Sequence, residues 1–130
     1  MKRNISFLVI VALGLSACTA LSPTLTPAVL ADSYFSGYAY LDTNGNTQID
    51  SADKPLKDAI FIVQLESGAE FGGNTDENGN AFVTIPAAVQ YPVTLFMKAP
   101  KDSGLTLLGP ASIILQEPAS EKNSFLFTTK

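Results

Sequence analysis

The central apolar segment of the chain reads Ala59-Ile60-Phe61-Ile62-Val63-Gln64-Leu65. Apolar side chains fall on both faces of this run, which predicts a central strand in a sheet that is covered on both sides. Upstream, residues 33–41 place tyrosines and serine at alternate positions, which is the period of a β-strand. Shorter runs of strand-forming residues follow at 70–74, 80–85, 92–98, 105–108, 113–116 and 124–128.

Turn residues separate these runs, and helical segments do not. The chain of 130 residues contains nine glycines and eight prolines, most of them between the runs. No ten-residue stretch after Leu30 keeps the helical period of about 3.6 residues. About seven short strands with this punctuation predict an all-β, seven-stranded, Ig-like β-sandwich with helix limited to a turn or two. We assign this domain to residues 33–130.

The N-terminus has the parts of an export signal. Lys2 and Arg3 form a basic start, and residues 5–15 form an almost wholly apolar run of 11 residues. That run is about half as long as a membrane-spanning helix needs to be. Small residues follow it at Ser16 and Ala17. The pattern predicts a cleaved signal peptide over residues 1–17.

The tetrapeptide Leu15-Ser16-Ala17-Cys18 resembles the lipobox of bacterial lipoproteins. The resemblance implies diacylglycerol on the Cys18 thiol, cleavage before this residue and an acylated, membrane-anchored mature protein outside the cytoplasm. Thr19 stands where an Asp would favour retention in the inner membrane, which implies the outer membrane or the cell surface. Residues 18–32 then form the lipidated cysteine and a short tether that contains two prolines.

The composition excludes several classes of function. The chain has no His and one Cys, which excludes an intramolecular disulfide and a Cys-based zinc site. Loss of Lys2 and Arg3 leaves six basic against twelve acidic residues, a net charge of −6, which argues against a nucleic-acid partner. No Ser-His or Cys-His triad can form, so we predict that the protein is not an enzyme. Any metal must be held by oxygen ligands.

The stretch with the clearest chemistry reads Asp42-Thr43-Asn44-Gly45-Asn46-Thr47-Gln48-Ile49-Asp50-Ser51-Ala52-Asp53. Side-chain oxygens fall at positions one, three, five, nine and twelve, and position seven can offer its backbone carbonyl. This is the ligand spacing of a twelve-residue calcium loop. We therefore predict bound Ca²⁺, with ligands from Asp42, Asn44, Asn46, Gln48, Asp50 and Asp53.

The loop departs from the helix–loop–helix version at several positions. Thr47 stands at position six, where that version has Gly, and Asp53 stands at position twelve in place of Glu. These departures predict a weak site, with a Kd of about 10⁻⁴–10⁻³ M. Ile49 at position eight is expected to pin the loop to the core. The alternative is a metal-free hairpin turn, since the loop contains an Asn-Gly pair.

A second segment repeats the start of this loop. Residues 76–80 read Asp-Glu-Asn-Gly-Asn, but Thr84 and Ala87 stand where downstream carboxylates would be needed. We expect a plain turn between two strands there.

Residues 37–46, 54–59 and 75–80 resemble the B-type repeat domains of bacterial surface adhesins. These are the serine-aspartate-repeat and collagen-adhesin B-like domains, which are related to carboxypeptidase regulatory-like domains. The resemblance implies a transthyretin-like sandwich, calcium sites and a role in stalks or ligand display. Some members carry a Lys–Asn crosslink that requires a Lys in the first strand. Residues 33–41 contain none, so Asn123 is expected to be an ordinary polar residue.

Two surfaces each have two interpretations, so the sequence does not identify the ligand. Tyr34, Tyr38 and Tyr40 share one face of the first strand, where they either stack on sugar rings or lie half-buried with hydroxyls at the rim. Ile60 and Ile62 belong either to the covered core or to an exposed patch for a partner. The sequence favours a calcium-stabilised structural or adhesive module with an unknown protein or glycan ligand. The alternative is a carbohydrate-binding module that uses the tyrosines.

Overall fold

The computed structural model describes residues 31–129. Over this range the chain forms strands joined by turns, without a helix, which confirms the all-β class. The strands in this range are β1 (Ser33–Leu41), β2 (Lys54–Pro55), β3 (Ile60–Gln64), β4 (Glu70–Asn74), β5 (Asn80–Ile85), β6 (Val93–Lys98), β7 (Leu105–Leu108), β8 (Ile113–Leu115) and β9 (Asn123–Thr129). Eight of these strands follow the runs identified in the sequence, and the two-residue strand β2 is the ninth, so the count exceeds the seven expected.

The strands form two sheets that pack into the predicted sandwich. In the first sheet the order is β2-β1-β9-β7, with β5 also paired to β1, and in the second it is β4-β3-β6-β8. β1 and β9 run parallel, so the first and last strands of the domain lie side by side. Asn123 at the start of β9 is buried and donates a hydrogen bond from Nδ2 to the carbonyl oxygen of Ser36 at 3.0 Å. This places Asn123 in a structural role within the first sheet.

Alternating side chains of both sheets fill the space between them. The core cluster consists of Phe35, Ala39, Ala59, Phe61, Val63, Ala81, Val83, Ile85, Val93, Leu95, Met97, Phe125 and Phe127. The rings of Phe61 and Phe125 meet across the sandwich with centroids 6.5 Å apart. Each large apolar side chain buried in this way stabilises the fold by about 1.5–3 kcal/mol relative to its exposure.

The outer face of the second sheet is apolar near its centre. Strand alternation turns Ile60 and Ile62 away from the core cluster. Ile62 is buried all the same, and its register partner on β6 is Phe96. Ile60 is half-buried. Of the two alternatives, burial therefore holds for Ile62, whereas Ile60 is only partly covered.

The predicted signal peptide, Cys18 and most of the predicted tether lie outside the described residues. Between residues 31 and 129, no helix is long and apolar enough to cross a membrane.

Candidate metal centre

The loop at residues 42–53 leaves the end of β1 and returns through β2. At its start, the backbone N–H of Asp42 donates to the carbonyl oxygen of Phe127 at 2.7 Å. Just after its end, the backbone N–H of Leu56 donates to the carbonyl oxygen of Ala39 at 2.9 Å. Both ends of the loop are therefore fixed to the first sheet.

Asp42 organises the first half of the loop. Its side chain is buried, and its carboxylate accepts hydrogen bonds from the backbone N–H of Gly45 at 2.7 Å and of Thr47 at 3.0 Å. Thr47 has a φ of 61°, a left-handed conformation that a β-branched residue rarely adopts. This is the position at which a helix–loop–helix calcium loop has its sharp turn at Gly. The chain therefore makes a left-handed turn there without the glycine.

Asp50 organises the second half of the loop. Its Oδ2 accepts hydrogen bonds from Nδ2 of Asn44 at 3.1 Å and from Nδ2 of Asn46 at 2.6 Å. Its Oδ1 accepts from the backbone N–H of Ala52 at 2.7 Å. The bond from Ala52, followed by those from the two amides, lowers the pKa of the Asp50 carboxyl below its usual value. Asp50 is therefore a carboxylate at neutral pH, surrounded by donors.

Asp53 has an oxygen without a partner. Its Oδ2 accepts a hydrogen bond from the backbone N–H of Asp50 at 2.9 Å. Its Oδ1 is buried and, within residues 31–129, is the one buried side-chain oxygen or nitrogen that lacks a hydrogen-bond partner. A buried carboxylate oxygen of this kind costs free energy unless a donor or a cation satisfies it. The donor set and this oxygen fit a hard cation.

The structure gathers the predicted ligands into one loop but not into a closed cage. Among the described side chains, no group of three or more acidic, His or Cys residues is close enough together to hold a metal ion. Asn44 and Asn46 turn their NH₂ groups toward Asp50, and their Oδ1 atoms accept from the backbone N–H groups of Asn46 and Gln48. An ion coordinated by both amides would require them to present oxygen instead. Ile49 is 45% exposed and does not pin the loop to the core, so that expectation was wrong.

The second Asp-x-Asn-Gly-Asn segment is a tight turn between β4 and β5. Oδ1 of Asp76 accepts hydrogen bonds from the backbone N–H groups of Asn78 at 2.8 Å and Asn80 at 3.0 Å. Gly79 takes a φ of 73° and its carbonyl oxygen accepts from the backbone N–H of Ala39 at 2.8 Å. This turn therefore packs against β1 beside the segment through which the first loop returns.

A buried threonine before the second turn bonds to the connection between β2 and β3, and sequence analysis missed it. Oγ1 of Thr75 donates to the carbonyl oxygen of Leu56 at 2.6 Å and accepts from the backbone N–H of Ala59 at 2.9 Å. On the surface nearby, Lys57 pairs with Glu77, which raises the pKa of the lysine through a hydrogen bond and through charge. Neither pairing follows a local pattern, since the partners in each are at least 16 residues apart.

The tyrosines of β1 differ in exposure. Tyr34 is 61% exposed and stacks on Phe82 of β5, which is 65% exposed, whereas Tyr38 and Tyr40 are half-buried. Nζ of Lys122 lies 4.8 Å from the centroid of the Tyr38 ring. Sequence analysis missed Phe82. Its outward position on the alternating run at 80–85 was the available signal.

A half-open cavity of about 460 Å³ lies at the opposite end of β1 from the loop. Its lining is largely apolar and includes Leu65, Ile85 and Val89, and Glu66 is the one charged residue in it. Oγ of Ser33 donates to the carbonyl oxygen of Ala87 beside the cavity. The cavity has an apolar lining with one carboxylate, so its lining does not contain the two carboxylates that acid–base catalysis of glycoside hydrolysis uses.

No family model matches the chain, and no curated protein matches it. Solved structures with a similar fold include the major plantain pollen allergen Pla l 1, with a TM-score of 0.53 and 10% identity over 76% of this chain and 90% of that one. Another is GBS52, a minor pilin of the Gram-positive pathogen Streptococcus agalactiae, with a TM-score of 0.53 and 12% identity over 78% of this chain. The match spans 46% of the pilin chain. At these identities the likeness is one of fold, and it agrees with the β-sandwich described above.

Proposed function

We propose that this protein is a lipid-anchored extracytoplasmic module with a structural or adhesive role, whose β-sandwich is stabilised by calcium bound in the loop at residues 42–53. The observation that carries the calcium part is the buried, unpartnered Oδ1 of Asp53 in a loop that already has calcium-ligand spacing. The fold shared with a minor pilin supports the structural or adhesive part.

Each of six loop residues supplies a ligand to the ion. Asp42 and Asp50 supply carboxylates, and Asp53 supplies the oxygen that is otherwise unsatisfied. Asn44 and Asn46 supply amide oxygens after their amides turn, and Gln48 supplies its backbone carbonyl. Bound calcium draws together three carboxylates that are not clustered without it, and so fixes the loop between β1 and β2. The role needs no catalytic group.

The lipid anchor of the proposal is placed at Cys18. The basic start, the short apolar run and the tetrapeptide ending at Cys18 support export followed by lipid attachment. Several acyl chains on one protein make anchoring durable, whereas a single chain gives only marginal binding. A net charge of −6 on the mature chain suits a domain that is held away from an anionic membrane surface.

The calcium part is tested by calorimetric titration of calcium into residues 19–130, combined with thermal unfolding. With calcium at ten times Kd, ligand linkage stabilises the folded state by about 1.4 kcal/mol, and Tm rises by several degrees. Magnesium at the same concentration produces little shift, because it keeps its water shell. Absence of heat and of any Tm shift at millimolar calcium contradicts the proposal.

The loop has matched variants. Asp50→Asn and Asp53→Asn each remove one charge without changing size, and both abolish the calcium response. Asp76→Asn makes the same exchange in the neighbouring turn and leaves that response intact. An equal loss in all three variants would point to a general charge effect and would count against a site at residues 42–53.

The anchor is tested separately. The intact chain, expressed in a bacterial host, fractionates with membranes, and Cys18→Ala moves the protein to the soluble fraction. Cys18→Ala protein that stays with the membranes contradicts lipid anchoring and leaves the calcium test unaffected.

A further inference from the structure

The outer face of the first sheet carries aromatic rings among uncharged polar groups. On β1, β5 and β9, strand alternation and register place ten side chains on it, of which Leu126 is buried: Tyr34, Ser36, Tyr38, Tyr40, Asn80, Phe82, Thr84, Ser124, Leu126 and Thr128. None of them is charged, although the chain contains eight basic and twelve acidic residues. We name this surface the aromatic face.

Two rings of the aromatic face project into solvent as a pair. Tyr34 and Phe82 are 61% and 65% exposed, and they stack with centroids 5.8 Å apart and planes 24° apart. Each ring limits the rotation of the other, so a ligand that contacts the pair does not have to order two free side chains. Ordering free side chains on binding costs conformational entropy, and the pair avoids part of that cost.

The aromatic face continues along β1 beyond this pair. The cation–π contact with Lys122 fixes the ring of Tyr38, and Tyr40 lies opposite Pro55 of β2. From Tyr34 to Tyr40 the strand rises about 20 Å. That length matches several sugar rings joined end to end.

We propose that the aromatic face binds a linear, uncharged oligosaccharide, with its sugar rings stacked on Tyr34 and Phe82 and extending toward Tyr40. The C–H groups on one face of a pyranose ring carry partial positive charge and meet the negative face of an aromatic ring. The amide of Asn80 and the hydroxyls of Ser36 and Thr84 lie where the rim hydroxyls of the sugar need partners. The inference names a ligand for the adhesive role proposed above and depends on that role.

The small number of charged side chains at the aromatic face favours a neutral ligand over a charged one. Nucleic acids and anionic polysaccharides need clustered cations, and Lys122 is the one cation in contact with a ring of the aromatic face. Two carboxylates, those of Asp32 and Glu121, line small pockets beside Tyr34 at the border of the face, and none lies on the strand positions of the face itself. A neutral ligand rich in hydroxyl groups matches a surface that offers rings, hydroxyls and an amide.

The test is a titration of residues 19–130, with calcium present, with uncharged linear hexasaccharides of glucose, mannose and N-acetylglucosamine. Intrinsic fluorescence reports on the aromatic face, because the chain has no Trp and three of its four tyrosines lie on that face. At least one hexasaccharide gives a saturable change. Tyr34→Ala and Phe82→Ala each weaken its binding by about tenfold. Ile114→Ala, which removes a side chain 60% exposed on the other sheet, leaves it unchanged.

Two outcomes overturn the inference. The first is no saturable change with any of the neutral hexasaccharides. The second is equal weakening by Ile114→Ala and by the two aromatic variants. Thermal unfolding with and without calcium is measured on the same samples. A calcium-dependent Tm without sugar binding rejects this inference alone, whereas sugar binding without a calcium effect rejects the calcium part of the proposed function alone.

Discussion

Gly79 and Gly45 have nearly the same backbone conformation in very different surroundings. Their φ angles are 73° and 72°, so alanine at either position carries the cost of a left-handed backbone, about 1–2 kcal/mol. A Cβ on Gly79 would also meet the carbonyl oxygen of Ala39 at 2.5 Å, whereas a Cβ on Gly45 meets nothing within 4 Å. Gly79→Ala is therefore expected to destabilise the fold more than Gly45→Ala does. Urea unfolding measures the free energy of unfolding of both variants. Equal decreases would show that the close approach of Gly79 to β1 does not add to the cost of the substitution.

The charge of Asp50 contributes to stability only above a limiting pH. Hydrogen bonds lower its pKa in the folded state below 3.8, so the contribution is complete at pH values well above 3.8 and is lost as the pH falls through the folded-state pKa. We expect Asp50→Asn to lower Tm at neutral pH, with the difference from wild type disappearing in acid. Thermal unfolding between pH 7 and pH 2 measures this difference. A gap that stays constant over the whole range contradicts the assignment.

The contacts of individual residues were harder to predict from the sequence than the strands or the fold class. The spacing of acids and amides predicts a calcium site in residues 42–53, which form a loop between β1 and β2, and the turn at residues 76–80 formed as expected. The contacts of Ile49 and Thr75 were not predictable from position alone. Ile49 stands at a place that suggests packing and is exposed, whereas Thr75 is buried because two distant backbone groups need a partner.

At the level of elements, the hydroxyl of Thr75 holds the end of β4 to both ends of the connection between β2 and β3. Thr75→Val keeps the shape of the side chain but leaves the N–H of Ala59 and the carbonyl oxygen of Leu56 without their partner. Leaving one such group buried and unpaired costs about 1–3 kcal/mol. We expect Thr75→Val to lower the free energy of unfolding by at least that amount and Thr75→Ser to recover most of it. Chemical denaturation measures all three proteins, and similar losses for Val and Ser would contradict a hydrogen-bonding role.

Runs of strand-forming residues gave reliable strands, and the shortest pairing did not. β1 and β5 follow alternating runs, because alternation records which side of a strand is buried, and β3 follows a run that is apolar on both faces. β2 consists of two residues whose pairing with Tyr40 and Leu41 depends on where the loop returns. A strand that tertiary contacts create leaves no periodic trace in the sequence.

For the whole molecule, the sandwich was predictable but its strand order was not. The punctuated runs require two layers to cover a central strand that is apolar on both faces. Nothing local specifies that β9 inserts between β1 and β7, or that it pairs with β1 in parallel. That arrangement gives β1 three roles, since it borders the candidate metal loop, carries three of the four rings of the aromatic face and pairs with the last strand of the domain.

Calcium should therefore act unevenly across the sandwich. The backbone N–H groups of Asp42 and Leu56 hold the loop to the first sheet, so their exposure requires the loop to open and the ion to leave. We expect calcium to slow hydrogen exchange of these amides by a factor of about 1 + [Ca²⁺]/Kd, which is the ratio of total protein to calcium-free protein. Exchange in β8, at the edge of the second sheet, should change little, because that edge can open while the ion stays bound.

Exchange measured with and without calcium, on wild type and on Asp53→Asn, provides the comparison. In Asp53→Asn the two loop amides should exchange at the same rate in both conditions. Protection spread evenly over both sheets would mean that β8 opens only when the whole domain unfolds. Protection in β8 without protection at Asp42 and Leu56 would place the ion elsewhere on the molecule.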